Sequence, residues 1–194
     1  MHYILASGSP RRKELLGKVV PEFEIIPAVS EEITTAKEPG EIAKELSFQK
    51  ASEIFHKNLT DSLGDIVVIG ADTVVSYNHR VLGKPKDRED ARKMLESLQG
   101  NAHEVYTGVT VYYRTGDKAD YFTFYEETKV YVNDMTPEEI RAYVNTGEPD
   151  DKAGAYGIQG LFAIYIQGIN GDYYNVVGLP IARLYKELKN KSLL

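Results

Sequence analysis

Cysteine is absent from the 194-residue chain. That excludes disulfides, zinc-thiolate centres and thiol nucleophiles, fits a reducing compartment, and leaves chemistry to oxygen and nitrogen groups. No apolar run approaches the roughly 18 residues that a membrane span requires. Met1 leads into a short apolar run, Tyr3 to Ala6, with no basic segment before it and no long hydrophobic stretch. A cytoplasmic location without a secretion signal is therefore expected. Excess positive charge is also missing. The formal charge of −6 opposes nonspecific binding to a nucleic-acid polymer, which depends on neutralising many phosphates, so any phosphate site has to be local. There are no internal repeats, low-complexity tracts or interdomain linkers. With 42% hydrophobic and 27% charged residues, residues 1–194 are expected to fold as one globular domain, burying about two-thirds of the unfolded surface.

Segments of period 2 and period 3.6 alternate along the chain. Tyr3 to Ala6 reads as a short buried strand, and Ser9-Pro10 opens a helix to about Gly17. Phe23 to Ile26 predicts a second strand, and Glu41 to Lys57 an amphipathic helix. Ile66 to Ile69 is an apolar run typical of a central strand buried on both faces. Asp87 caps a helix that places Ala91, Met94, Leu95 and Leu98 on one face, with Gly100 closing it. Val105 to Arg114 and Phe122 to Val132 predict an antiparallel pair. Thr136-Pro137-Glu138-Glu139 is a capping box for a helix closed by Gly147. Leu161 to Ile169 and Tyr173 to Val177 flank Asn170-Gly171 and predict a second hairpin, after which Pro180 starts a terminal helix. The expected class is α/β, a mixed twisted sheet with flanking helices.

Ala6-Ser7-Gly8-Ser9-Pro10-Arg11-Arg12 runs from a strand through a glycine turn into a helix start, where unpaired N–H groups and the helix dipole favour an anion. Arg11 and Arg12 are electrostatically wrong for that first turn unless a polyphosphate reverses the sign; the bland alternative is a solvated basic turn. Gly70-Ala71-Asp72-Thr73 follows the apolar run Ile66 to Ile69, and a carboxylate outside the end of a strand can hold a metal ion or activate water. Asp72 is thus the first catalytic candidate, against a loop Asx-turn.

Leu82-Gly83-Lys84-Pro85 is no Walker A loop, because Asn78 stands at the first glycine and Pro85 at the magnesium-binding Ser or Thr. Lys84 can still meet a phosphate, or be an ordinary surface lysine. Lys50 falls in the apolar stripe of its helix, where snorkelling competes with reaching into a phosphate cleft. Glu31-Glu32 could add an oxygen ligand, although such pairs usually face solvent. Asp151 to Gly160 spaces glycines as G-x-x-G-x-x-G, permitting close backbone approach to a ligand. Gln159 there offers an acceptor and two donors to a base edge.

Together, Ser7 to Leu16, Gly70 to Thr73, Gly83 to Pro85 and Asp151 to Gly160 resemble, in order and across nearly the whole chain, the signatures of the Maf family of nucleotide pyrophosphatases. The resemblance implies a Maf-type fold similar to inosine-triphosphate pyrophosphatases, with two lobes around a cleft and hydrolysis at the α–β phosphate bond. By matching, Asp72 falls at the general base, and Ser7, Arg11, Arg12, Glu32, Lys50 and Lys84 at the phosphate and metal region, with Glu31 an alternative to Glu32. A divalent cation, Mg²⁺ or Mn²⁺, is implied as cofactor, bound by Asp72 and Glu32. A nucleoside triphosphate is the implied substrate, and a homodimer is in keeping with the family. Arg11, Thr73 and Gln159 look like the branch acting on dTTP and UTP, whereas the 7-methyl-GTP branch tends to carry Trp, Gln and Glu there. Nucleotide-pool cleansing would be the cellular task. The alternatives are a pyrophosphatase for 7-methyl-GTP or other modified nucleotides, and a nucleotide-binding regulator of cell division and septum formation without turnover.

Overall fold

Three long strands form the frame on which both halves of the molecule are built. In the computed structural model, which describes residues 1–58 and 64–194, these are β3 (Ile66–Tyr77), β5 (Ala102–Thr115) and β6 (Lys118–Val132). The other strands are β1 (His2–Leu5), β2 (Glu24–Ile25), β4 (Arg80–Leu82) and β7 (Ile166–Asn170). The helices are α1 (Pro10–Leu16), α2 (Pro39–Lys57), α3 (Arg88–Leu98), α4 (Pro137–Asn145), α5 (Tyr173–Val177) and α6 (Ile181–Asn190). The sheet order is β2-β1-β3-β5-β6-β7, with β4 also paired to β3. β1 runs parallel to β2 and β3, and the remaining pairs are antiparallel. Among the described residues no helix is long and apolar enough to cross a membrane.

Alternation along β3 sorts its side chains between two layers. Val67, Ile69 and Ala71 pack with Leu15 and Leu16 of α1 and Leu184 and Leu188 of α6. Ile66 and Val68 pack on the other face with Ala51, Ile54 and Phe55 of α2. Farther along the same strands, Val75, Val105 and Val130 join Leu95 of α3, Ile140 of α4 and Phe162 in a separate core. The expected mixed sheet with two lobes is therefore present, and the lobes share β3, β5 and β6.

The predicted helix ends hold closely. Ser9 caps α1, Asp87 caps α3 by accepting from the Asp90 N–H, and Thr136 with Glu139 forms the reciprocal capping box of α4. Two expectations fail. β3 does not stop at Ile69 but continues to Tyr77, because β5 pairs with it from Ile66 to Ser76. The second hairpin is also absent: Leu161–Tyr165 is a 3₁₀ turn, and β7 is followed by the helix α5. Asp172 is the cause, since its side chain accepts from the Tyr174 N–H at 2.8 Å and starts a helix where Asn170-Gly171 suggested a return strand.

Candidate active site

One edge of β3 is covered along its length by β5. The opposite edge carries β1 up to the pair Leu5 and Ile69, and β4 from the pair Leu82 and Val75. Between them, residues 70–74 face no strand, and a cavity opens there, with a volume of about 960 Å³. Asp72 thus lies in the middle of a strand rather than beyond its end; what ends beside it is β1. Ser7, Arg11, Arg12, Glu32, Lys50, Asp72, Thr73, Lys84 and Gln159 all line this cavity, so these nine residues from distant parts of the sequence are brought to one place. Glu31 is not among the lining residues, which favours Glu32 of the acidic pair.

Neighbouring side chains of β3 approach the cavity from different layers. Asp72 lies on the α2 side by alternation with Ile66 and Val68, and helix and strand touch almost backbone to backbone there. A Cβ on Gly70 would fall 2.5 Å from the Ser47 carbonyl oxygen, and one on Gly108 would fall 2.1 Å from that of Ala43. This approach lets the Lys50 ammonium reach Asp72 Oδ1 at 2.5 Å and Glu32 Oε1 at 2.9 Å. The lysine side chain is only 15% exposed, so it projects into the cleft rather than snorkelling to the surface. Glu32 is carried on a loop strapped to the same helix: Glu53 accepts from the Val29 and Ser30 N–H groups, and Gln49 from that of Ile33.

Thr73 lies on the α1 side. Its hydroxyl accepts from Arg12 at 3.0 Å and is 2.9 Å from the Thr107 hydroxyl. Arg12 also donates to the Gly178 carbonyl at 2.9 Å and to the Ser7 hydroxyl at 3.2 Å. Burial pulls its pKa down, Asp72 opposes that shift, and neighbouring Arg11 adds to it. Thr107 donates onward to the Asn175 carbonyl, and the Asn175 amide donates to Val105 and Thr128. None of this buried polar support was legible from spacing.

The third wall comes from residues 148–160. Lys84 also lines the cavity, on a loop tied to this wall by the bond from the Gly154 N–H to the Gly83 carbonyl, 3.1 Å. Asp151 is held below the usual carboxylate range first by the hydrogen bond from Lys152, against the effect of burial, with the charges of Lys152 and Arg11 adding to it. Glu148 and Tyr156 line the cavity as well. Sequence reasoning missed Glu148; its only signal is its place just after the helix-closing Gly147.

The donor set suits a divalent cation. Asp72 and Glu32 already converge on one positive centre, the Lys50 ammonium, and magnesium is commonly held by one or two carboxylates with substrate phosphates completing the shell. Among the described residues no cluster of three or more His, Cys, Asp or Glu could cage a metal alone, so the remaining ligands would come from substrate and water.

The open edge of this mixed α/β sheet gathers guanidinium and ammonium groups around two carboxylates, an arrangement whose charge suits a polyanionic ligand. Residues 2–191 match the family described as Maf-like protein, and the chain belongs to that family. It is 54% identical to the dTTP/UTP pyrophosphatase of Agathobacter rectalis, over 96% of this chain and 95% of that one. It is 49% identical to that of Lachnoclostridium phytofermentans, over 96% and 93%, and 52% identical to that of Bacillus anthracis, over 98% and 95%.

Proposed function

We propose that this chain hydrolyses nucleoside triphosphates, dTTP and UTP foremost, at the α–β phosphate bond, giving the monophosphate and pyrophosphate. The observation that carries the reading is the opening of Arg11, Arg12, Lys50, Lys84 and the Asp72–Glu32 pair onto one cavity at the uncovered edge of β3. The names of relatives about 50% identical over nearly their whole length support it.

In this reading Arg11, Arg12 and Lys84 hold the phosphate chain, with Ser7 and Thr73 orienting Arg12. Asp72 accepts the proton of the attacking water, and Lys50 neutralises charge as pyrophosphate departs; positioning and charge compensation then supply most of the rate. Asp72 and Glu32 would hold Mg²⁺ or Mn²⁺, which when bound neutralises phosphate oxygens. Gln159 reads the pyrimidine edge with its mixed donor and acceptor amide. Clearing unwanted nucleotides from the cytoplasmic pool is the task this chemistry suits.

Purified protein given a panel of triphosphates with Mg²⁺ or Mn²⁺ should release pyrophosphate, with dTTP and UTP the preferred substrates. No pyrophosphate from any of them would leave the non-catalytic regulator of cell division as the better reading, and preference for 7-methyl-GTP would move the chain to that branch. Asp72→Asn should keep the fold and lower turnover by about 10² to 10⁴; near-normal turnover in the folded variant would remove the proton-accepting role.

A further inference from the structure

Residues 156–160 carry Gln159 into the cavity without belonging to any helix or strand. The loop turns on itself through the bond from the Gly160 N–H to the Gly157 carbonyl, 3.1 Å, and Ile158 is wedged between the two main hydrophobic cores. Neither feature fixes the direction of the next side chain.

Two side chains outside the loop hold its ends. Glu148 Oε2 accepts from the Leu161 N–H at 2.9 Å, and its Oε1 accepts from the Tyr143 hydroxyl at 2.9 Å. The same hydroxyl oxygen receives the Gly157 N–H at 3.4 Å. Tyr143 is itself only 3% exposed, with its ring against Phe162 at 5.1 Å between centroids. The carboxylate lies flat on the loop: a Cβ on Gly160 would meet Glu148 Oε1 at 2.2 Å, and one on Gly157 would meet Lys152 Cε at 2.8 Å. Lys152 in turn donates to the Glu148 carbonyl at 2.7 Å. The two glycines thus mark where a clasp presses on the backbone, which adds a second use to their spacing.

We infer that Glu148 and Tyr143 are positioning residues for base selectivity: by holding the Gly157 and Leu161 N–H groups they fix the loop so that the Gln159 amide meets the pyrimidine edge. This rests on the reading of Gln159 given above. Glu148 lines the cavity and Tyr143 lies behind it. Both Glu148 oxygens have partners within the protein, and the Tyr143 hydroxyl is engaged with Glu148 and Gly157.

The test compares Glu148→Ala, Tyr143→Phe and Glu148→Gln with the parent protein, using UTP, CTP and GTP, with thermal unfolding as the check on folding. Glu148→Ala should shrink the kcat/KM preference for UTP over CTP by about tenfold or more, chiefly through KM. Tyr143→Phe should act in the same direction. Combining it with Glu148→Ala should add little, because the two act as one unit. Glu148→Gln should recover much of the preference, since its amide oxygen still accepts from Leu161. Amide hydrogen exchange should show Gly157 and Leu161 losing protection in Glu148→Ala while β3 and β5 keep theirs.

A purely structural role would lower activity toward all three nucleotides alike. Unchanged preference in both Glu148→Ala and Tyr143→Phe, with the parent active, would overturn the clasp and leave the activity standing. If the parent releases no pyrophosphate from any nucleotide, the activity reading fails by itself; binding of a non-hydrolysable UTP analogue against its CTP counterpart, in parent and variants, then decides the clasp. If Glu148→Ala does not fold, Tyr143→Phe and Glu148→Gln carry the same comparison.

Discussion

The Thr73 hydroxyl sits at the junction of three elements, accepting from Arg12 of α1 and meeting Thr107 of β5 from its own place in β3. Thr73→Val keeps the shape and removes the acceptor, so an Arg12 N–H in a partly buried setting loses its partner. The expected loss of stability is about 1–3 kcal/mol, read from urea unfolding. A guanidinium no longer held toward the cavity should also raise KM for the triphosphate more than it lowers kcat. An unaltered KM would show that Gly178 and Ser7 position Arg12 without help. Sequence matching had treated Thr73 as a mark of the pyrimidine branch, and the contact with Arg12 supplies a physical route by which such a mark could act.

At the scale of elements, the close seating of α2 on the sheet sets the Lys50–Asp72 contact. A methyl at position 108 would meet the backbone of Ala43 at 2.1 Å, so Gly108→Ala has to push the helix outward. Overpacking of this kind costs about 1–3 kcal/mol. Gly108→Ala should show that loss in denaturant unfolding, together with a drop in turnover as Lys50 is carried away from Asp72. Full activity would mean that the helix can move without its lysine. Nothing in the pattern around Gly108 announced this contact, because a glycine in a strand reads alike whether it meets a helix, a bulge or solvent. What the chain did reveal were features decided locally, the caps at Ser9, Asp87 and Thr136 and the apolar run of β3; the gathering of Arg11, Asp72, Lys84 and Gln159 at one site came from the family resemblance and not from any local pattern. What it hid depended on partners distant in sequence, such as the extension of β3 against β5. The turn at Asn170-Gly171 was a different failure, since Asp172 was available to be read as a helix cap and the hairpin signal outweighed it.

Across the whole molecule, His103 sets a pH limit on stability. It is fully buried, its Nε2 lies 2.7 Å from the Tyr156 hydroxyl, and its Nδ1 has no partner among the described residues. Burial pulls its pKa down from 6.5 to about 4. Between those values the unfolded chain takes up a proton that the folded chain refuses. The stabilisation is therefore complete above about pH 6.5 and disappears as pH falls toward about 4, a difference of about 3 kcal/mol at most. Urea unfolding at pH 7.5 and pH 5 should show this loss in the parent, and a smaller one in a folded His103→Phe variant, whose difference from the parent isolates the histidine from the carboxylates. Equal pH dependence in the two proteins would count against it.

β3, β5 and β6 pass unbroken from one lobe to the other. Swinging the halves apart would mean bending all of these hydrogen-bonded strands at once, which the shared ladder resists. The gap between β1 and β4 is then the flank from which a ligand reaches the cleft with the least sheet to disturb.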